Sequence, residues 1–202
     1  MIGGTTIGSL SAGQCREVPL TGSAQPPPAP VQPGAPLYLG AIADAQAGVV
    51  ELREDNNTRV TSRLVLGDGP DLVVRSVTAP ANLPPYSAFS AQVKVCNEGN
   101  LPLYGSAPVD LLISTEKSLY VPGQGQPPYT QVQMPVGNVM VSALAAGQCT
   151  TLPVQGSVLR PPAATPGQSL YLGALVDAQG AMPDLLRDNN ARTMATPIGQ
   201  AQ

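Results

Sequence analysis

The chain of 202 residues contains 23 prolines, 21 glycines, one phenylalanine, no tryptophan and no histidine, and its formal charge is −3. This composition disfavours long helices and favours short strands joined by loops, with aliphatic side chains in the core. The lack of histidine excludes Ser-His-Asp and Cys-His catalysis, and the acidic balance argues against a nucleic-acid partner.

The first 66 residues repeat later in the chain, which is the clearest organisational signal in the sequence. The matching pairs are residues 2–15 with 136–149, 37–46 with 170–179, and 52–59 with 185–192. A one-residue deletion falls between the first two matches, in proline-rich loops, and residues 24–36 are expected to form one such stiff loop. We therefore predict that residues 1–66 are the second half of a unit, 67–70 a short linker and 71–202 a complete unit.

Alternating apolar and polar residues predict seven strands in the complete unit. They cover residues 71–79, 88–99, 107–115, 132–144, 148–157, 169–178 and 191–198. The fourth is interrupted at Pro135, and the near-continuous apolar run of the sixth indicates a central strand. Seven short strands with turn signals between them predict an all-β fold, an antiparallel β-sandwich of immunoglobulin or fibronectin III type, here in tandem.

The positions of the three cysteines in this sandwich predict one disulfide and leave one cysteine whose partner is open. Cys96 ends the second strand and Cys149 begins the fifth, which are antiparallel neighbours in such a fold, so we predict a disulfide on the outer face of the sheet. The alternative is two free thiols in a cytosolic protein. Cys15 matches Cys149 in the repeat and has no cysteine upstream. Three possibilities stay open for it: an upstream half-unit on the same polypeptide, a different partner chain, or a fold that manages without a partner.

Acidic and amide residues near one end of each unit are the main candidates for a site. They are Asp44, Asp55, Asn56 and Asn57 in the first unit, with Asp177, Asp188, Asn189 and Asn190 in the second. Their oxygens are suitable calcium ligands, but the spacing matches no recognised calcium loop. Capping of turns by Asp and Asn side chains is the competing interpretation.

A loop at 121–131 (VPGQGQPPYTQ) is the second candidate site. Tyr120 and Tyr129 make it a candidate contact surface, because aromatic side chains on loops are good anchors for a partner. The alternative is a disordered loop with no contact role. No constellation of catalytic residues stands out, so the chain is not expected to be an enzyme or to need a cofactor.

Several motifs together resemble the CARDB family, the bacterial cell-adhesion-related domain. They are PDLVVRSVTAP, VKVCNEGN, SALAAGQCTTLPV, PGQSLYLGALVDAQG and RDNN. The resemblance covers residues 70–198 and the back half of a second copy in 1–66. It implies a β-sandwich, often in tandem, in secreted or surface-attached proteins without enzymatic activity. The cysteine pair and the loop at 118–133 depart from the simplest family pattern.

The leading expectation is an extracellular structural or adhesion module, a segment of a tandem-repeat bacterial surface protein or filament. Neither a secretion signal nor a membrane-spanning run is recognisable, although oxidised cysteines would require export. The expected partners are proteins, either neighbours of the same kind or an upstream half-domain that completes residues 1–66. The alternative is a calcium- or carbohydrate-binding accessory domain of a larger secreted protein.

Overall fold

A computed structural model describes residues 2–23, 37–64, 67–123 and 127–201. The chain divides into unit 1, Met1–Leu66, and unit 2, Gly67–Gln202. Within the described ranges the regular structure consists of strands and one short 3₁₀ helix. Unit 1 contains β1 (Leu37–Ile42) and β2 (Thr58–Leu64). Unit 2 contains β3 (Leu72–Thr78), β4 (Ala88–Asn97), β5 (Ala107–Ser114), β6 (Gln133–Val141), β7 (Cys149–Ser157), β8 (Ser169–Val176), the 3₁₀ helix (Arg187–Asn189), β9 (Ala191–Thr193) and β10 (Gly199–Gln200).

Unit 2 is an antiparallel β-sandwich. One sheet has the strand order β3-β4-β7, and the other has the order β10-β8-β5-β6, with β9 also paired to β8. The inner faces of both sheets contribute to one aliphatic core. In β4, Phe89, Ala91, Val93 and Val95 are buried and alternate with exposed residues, as the sequence pattern predicts.

The first six predicted strands of unit 2 are confirmed, and the seventh is confirmed in part. β6 runs through Pro135, and the irregularity there is a register shift between Leu111 and Leu112 on the neighbouring strand β5. The predicted last strand, residues 191–198, forms only over β9, because the chain bends at residues 195–196 and Pro197 has no N–H group for a ladder; β10 begins just beyond it. The predicted central strand, β8, does lie between neighbours on both sides.

Unit 1 reproduces one part of unit 2 closely. Gly40 pairs with Val60 and Ile42 with Thr58, just as Gly173 pairs with Thr193 and Leu175 with Ala191 in the β8–β9 pair. A shift of 133 residues therefore superposes the three pairs Gly40–Val60, Ala41–Arg59 and Ile42–Thr58 on the three pairs of β8 with β9.

The remainder of unit 1 differs from its counterpart in unit 2. Residues 2–7 and 15–23 form no strand in the described structure, although their counterparts lie in β6 and β7. β6 and β7 take their ladder partners, β5 and β4, from the first half of unit 2. β8 and β9 are both in the second half, so unit 1 keeps the strands whose partners it contains.

The short segment predicted as a linker is bonded into unit 2. The Gly69 N–H donates to Asn100 Oδ1 at 2.9 Å, and Asn100 Nδ2 donates to Asp68 Oδ1 at 2.7 Å. Gly69 and Pro70 are buried. The proline-rich segment 24–36 and residues 124–126 of the predicted contact loop lie outside the described residues.

Candidate functional site

Cys96 and Cys149 form the disulfide that the sequence predicts. They are direct partners in the β4–β7 ladder, with Cα atoms 4.0 Å apart and a sequence separation of 53. Both lie on the outer face, as predicted, because they are direct ladder partners and neither belongs to the core cluster. Their exposure differs. Cys149 is exposed, but Cys96 is buried, because it lies on the central strand of its sheet between Val73 and Cys149.

Asp44 and Asp177 cap two turns of the same design. Both residues have left-handed backbone conformations, with φ of 44° and 47°. In each case the two carboxylate oxygens accept hydrogen bonds from the backbone N–H groups four and five residues further along, at 2.8–2.9 Å for Asp44 and 2.9–3.0 Å for Asp177. This arrangement is the capping role that the sequence left as the alternative to a calcium site.

The second asparagine of each Asn-Asn pair anchors to an acidic residue. Asn57 Nδ2 donates to Glu51 Oε2 at 2.6 Å, and Asn190 Nδ2 donates to Asp184 Oδ2 at 2.7 Å. Glu51 and Asp184 are matched by the same shift of 133 residues. In unit 2 the other oxygen of Asp184 accepts the N–H of Leu72 at 3.2 Å. The contact therefore ties the start of β3 to the segment before β9.

Burial gives Asp184 an unusual protonation equilibrium. Desolvation raises the pKa of Asp184 to about 6, and the nearby negative charge of Asp71 acts in the same direction, while hydrogen bonds to the carboxylate oppose the shift. Asn189 Nδ2 donates to Asp71 Oδ1 at 2.9 Å. The side-chain oxygens of Asn189 and Asn190 are buried without a hydrogen-bond partner. Sequence reasoning named the two asparagines but not Asp71 as a member of this cluster.

The other predicted calcium candidates have more local roles. Asp55 pairs with the exposed Arg53 at 3.1 Å, and Asp188 lies in the 3₁₀ helix. Asn56 lies in the turn that precedes β2. In the part of the chain that the structure describes, no group of three or more His, Cys, Asp or Glu side chains is arranged to hold a metal ion.

Asn97 is a structural centre that sequence reasoning did not single out. Its Oδ1 accepts the N–H groups of Asp71 and Gly99, at 3.0 Å and 3.1 Å. Its Nδ2 donates to the carbonyls of Leu101 and Leu144, at 2.8 Å and 3.1 Å. This buried amide thus joins the start of β3, the turn after β4 and the approach to β7. The motif VKVCNEGN, which contains Asn97 and is part of the CARDB resemblance, was the available signal.

The loop with the two candidate contact tyrosines is organised by a buried glutamine. Gln133 Nε2 donates to the carbonyls of Tyr120 and Pro128, at 3.0 Å and 2.6 Å, and its Oε1 accepts the Tyr120 N–H at 2.8 Å. The side chains of Tyr120 and Tyr129 are exposed. They remain candidates for contact with a partner.

An exposed apolar surface on unit 1 is the feature that most distinguishes it from unit 2. Its members are Ile7, Leu10, Leu20, Leu39 and Ile42, which are 40–63% exposed. Their counterparts in unit 2 are Val141, Leu144, Val154, Leu172 and Leu175, which are at most 7% exposed. We use the name open face for these five residues together; it includes both sides of β1, since Leu39 and Ile42 point to opposite sides of that strand. Burying side chains of this size from half exposure would contribute about 1 kcal/mol each, or about 5 kcal/mol together.

Comparisons with known proteins found similar solved structures but no matching family. No protein-family model matches the sequence, and no curated protein matches it. Among solved structures, the chain is similar to the CARDB domain of a Pyrococcus furiosus protein crystallised with di-metal ions, with a TM-score of 0.43 and 18% identity over 67% of this chain and 99% of that domain. A solution structure of the same domain gives a TM-score of 0.42, with 16% identity over 66% and 98% of the two chains.

A third similar structure is a β-glucosidase from Streptomyces venezuelae in complex with D-glucose. It has a TM-score of 0.32 and 16% identity over 64% of this chain and only 15% of that enzyme. Similarities of this strength assign neither a family nor a function. The fold class rests on the strand pairing of unit 2 itself. Across the described ranges, no helix is long and apolar enough to cross a membrane.

Proposed function

We propose that this chain is a non-enzymatic structural or adhesion segment of an extracellular bacterial protein built from tandem CARDB-like sandwiches. The observation that carries the proposal is the matched geometry of the two units, which share a hairpin register and an aspartate-capped turn. Serial copies of one small sandwich are typical of proteins that provide length or spacing, since each copy adds a similar increment of length.

The disulfide supports the extracellular part of the proposal. Disulfides persist in oxidising compartments and are rare in reducing ones. The Cys96–Cys149 bond links the two halves of unit 2, because one cysteine is on β4 and the other on β7. Such a link suits a protein that must keep its fold outside the cell, without chaperones.

Fractionation of the native source combined with thiol labelling tests this function. The protein is expected at the cell surface or in the medium, with Cys96 and Cys149 oxidised, and in ordered polymers visible by electron microscopy. Recovery from the cytoplasm with both thiols reduced would overturn the extracellular assignment. Monodisperse particles at high concentration would count against the filament form and leave a surface spacer.

A calcium-binding accessory role is the second candidate. The observation in its favour is that the buried side-chain oxygens of Asn189 and Asn190 lack partners, close to Asp71 and Asp184. Calcium prefers carboxylate and amide oxygens. A melting temperature that rises in millimolar Ca²⁺, and no longer does so in Asp184→Asn, is the expected signature. An unchanged melting temperature would remove this candidate, and the carbohydrate version would need the same shift with a glycan.

A further inference from the structure

The repeat and the open face together allow one step beyond the proposed function, on whose repeat organisation the inference rests. We propose that unit 1 is an acceptor for the front half of another CARDB-like sandwich, and that Cys15 locks the complex by a disulfide. The front half is defined here by its example in unit 2, residues 67–135, which contain β3, β4 and β5. The occupant is thus a polypeptide segment of that type with a cysteine at the position of Cys96.

Missing ladder partners are the first argument. In unit 2, β5 pairs with both β6 and β8, and β4 pairs with β7. Unit 1 holds counterparts of β6, β7 and β8, so the same two strands would supply all three ladders. The absence of strand structure in residues 2–7 and 15–23 follows directly, because the described residues of unit 1 offer those segments no strand to pair with.

A close backbone approach that is repeated in the two units indicates that unit 1 is arranged for this partner. A Cβ atom on Gly3 would overlap the carbonyl of Thr21, and one on Gly137 would overlap the carbonyl of Gln155, its match in unit 2. The turn that leads to the cysteine also keeps its geometry, with Gly13 at φ 75° and Gly147 at φ 73°. The two segments therefore already approach each other as β6 and β7 do.

Side-chain chemistry defines the occupant further. The open face needs apolar cover on both sides of β1. In unit 2, Leu172 is in the main core, whereas Leu175 packs in a second cluster with Leu112, Leu119 and Val121. The occupant must therefore include the loop after its β5-like strand as well as the strand itself. Asp184 accepts the first N–H of β3. Glu51 is its counterpart in unit 1, so its carboxylate is placed to accept the first N–H of the incoming strand.

The covalent step resembles the one completed in unit 2. Cys15 corresponds to Cys149, is exposed and carries a free thiol. The thiols of Cys15 and the incoming cysteine lose two protons and two electrons in forming the S–S bond. A disulfide oxidant such as glutathione disulfide accepts them and leaves as two thiols. Docking raises the effective concentration of the second thiol, so this pairing is favoured over random ones.

A single extended polypeptide tests the inference. A second copy of residues 67–135 is placed directly before Ile2 of the full chain, because residue 135 precedes the counterpart of Ile2, Val136. After refolding in a glutathione redox buffer, non-reducing peptide mapping is expected to find Cys15 bonded to the cysteine of the added copy, beside an intact Cys96–Cys149 bond. Hydrogen exchange of amides 15–23 and 37–42 is expected to slow at least about tenfold relative to the original chain.

Matched substitutions in unit 1 separate docking from general effects. Leu39→Asp adds a charge to the open face and is expected to abolish the slowed exchange. Val50→Asp adds the same charge at a fully exposed position whose counterpart, Pro183, is also exposed, and should change nothing. Unchanged exchange in the extended chain, or equal effects of the two substitutions, would overturn the inference. This result would not bear on the extracellular assignment, which is measured on the native source.

Discussion

Removal of the Cys96–Cys149 disulfide is the most quantitative prediction. Alanine is substituted at both positions, because serine would place a hydroxyl group at the buried Cys96. The crosslink closes a loop with a sequence separation of 53. In the chain-entropy description, its loss lowers the free energy of unfolding of unit 2 by about 4 kcal/mol, because the denatured chain regains the conformations that the crosslink had excluded.

Equilibrium urea unfolding followed by far-ultraviolet circular dichroism measures this change. With a denaturant slope of about 1.5 kcal/mol per M, the midpoint should fall by roughly 2.7 M. Cys15→Ala serves as the background for the double variant, so that no new pairing forms, and alone it should leave the midpoint of unit 2 unchanged. A loss below about 1 kcal/mol at an unchanged slope would refute the reasoning, because the denatured chain would then hold the two positions close without the bond.

Three further predictions concern the polar contacts. Asn97→Ala leaves one buried N–H group, one partly buried N–H group and two carbonyls without this partner. It should cost about 3 kcal/mol or more in the same unfolding assay; a loss below 1 kcal/mol would mean that water replaces the amide. Asp177→Ala removes two turn hydrogen bonds at a left-handed backbone position and should lower the stability of unit 2 by about 2 kcal/mol, whereas the matched Asp44→Ala should leave unit 2 unaffected. The pKa of Asp184 is about 6 in the folded protein, above the ordinary aspartate value of 3.8, so its protonated form favours folding. Its contribution to the free energy of unfolding is therefore fully present below pH 3.8 and is lost as the pH rises through 6. Asp184→Asn should flatten the dependence of the free energy of unfolding on pH between pH 4 and 6. An unchanged pH dependence would contradict the raised pKa.

The strands of unit 2 could be predicted from sequence because each is marked by alternation or by an apolar run bounded by turn residues. The pairing of Cys96 with Cys149 followed once the strand order was assumed. The early end of the last predicted strand at Thr193 was missed, because alternation does not report where a chain leaves a ladder. The burial of Cys96 was also missed, since it depends on the neighbours that the middle strand of a sheet has on both sides.

The polar cluster around Asp184 shows a different limit of sequence reasoning. Asp71 and Asp184 are more than a hundred residues apart, and only the sandwich topology brings the start of β3 to the segment before β9. Candidate calcium ligands were chosen by residue type in one short stretch of each unit. The partners of those residues turned out to be backbone N–H groups and acidic residues outside the stretches considered, such as Glu51 for Asn57.

The position of the disulfide has a consequence for a protein under tension. The segment between Cys96 and Cys149 contains β5 and β6 and lies inside a covalent loop. A pull applied to the two ends of unit 2 passes through the sulfur atoms and bypasses that loop even after the sandwich has opened. About 53 residues, or roughly 190 Å of extended chain at about 3.5 Å per residue, are thereby withheld from stretching. The maximum extended length of unit 2 is therefore limited by a covalent bond and not by the stability of its fold.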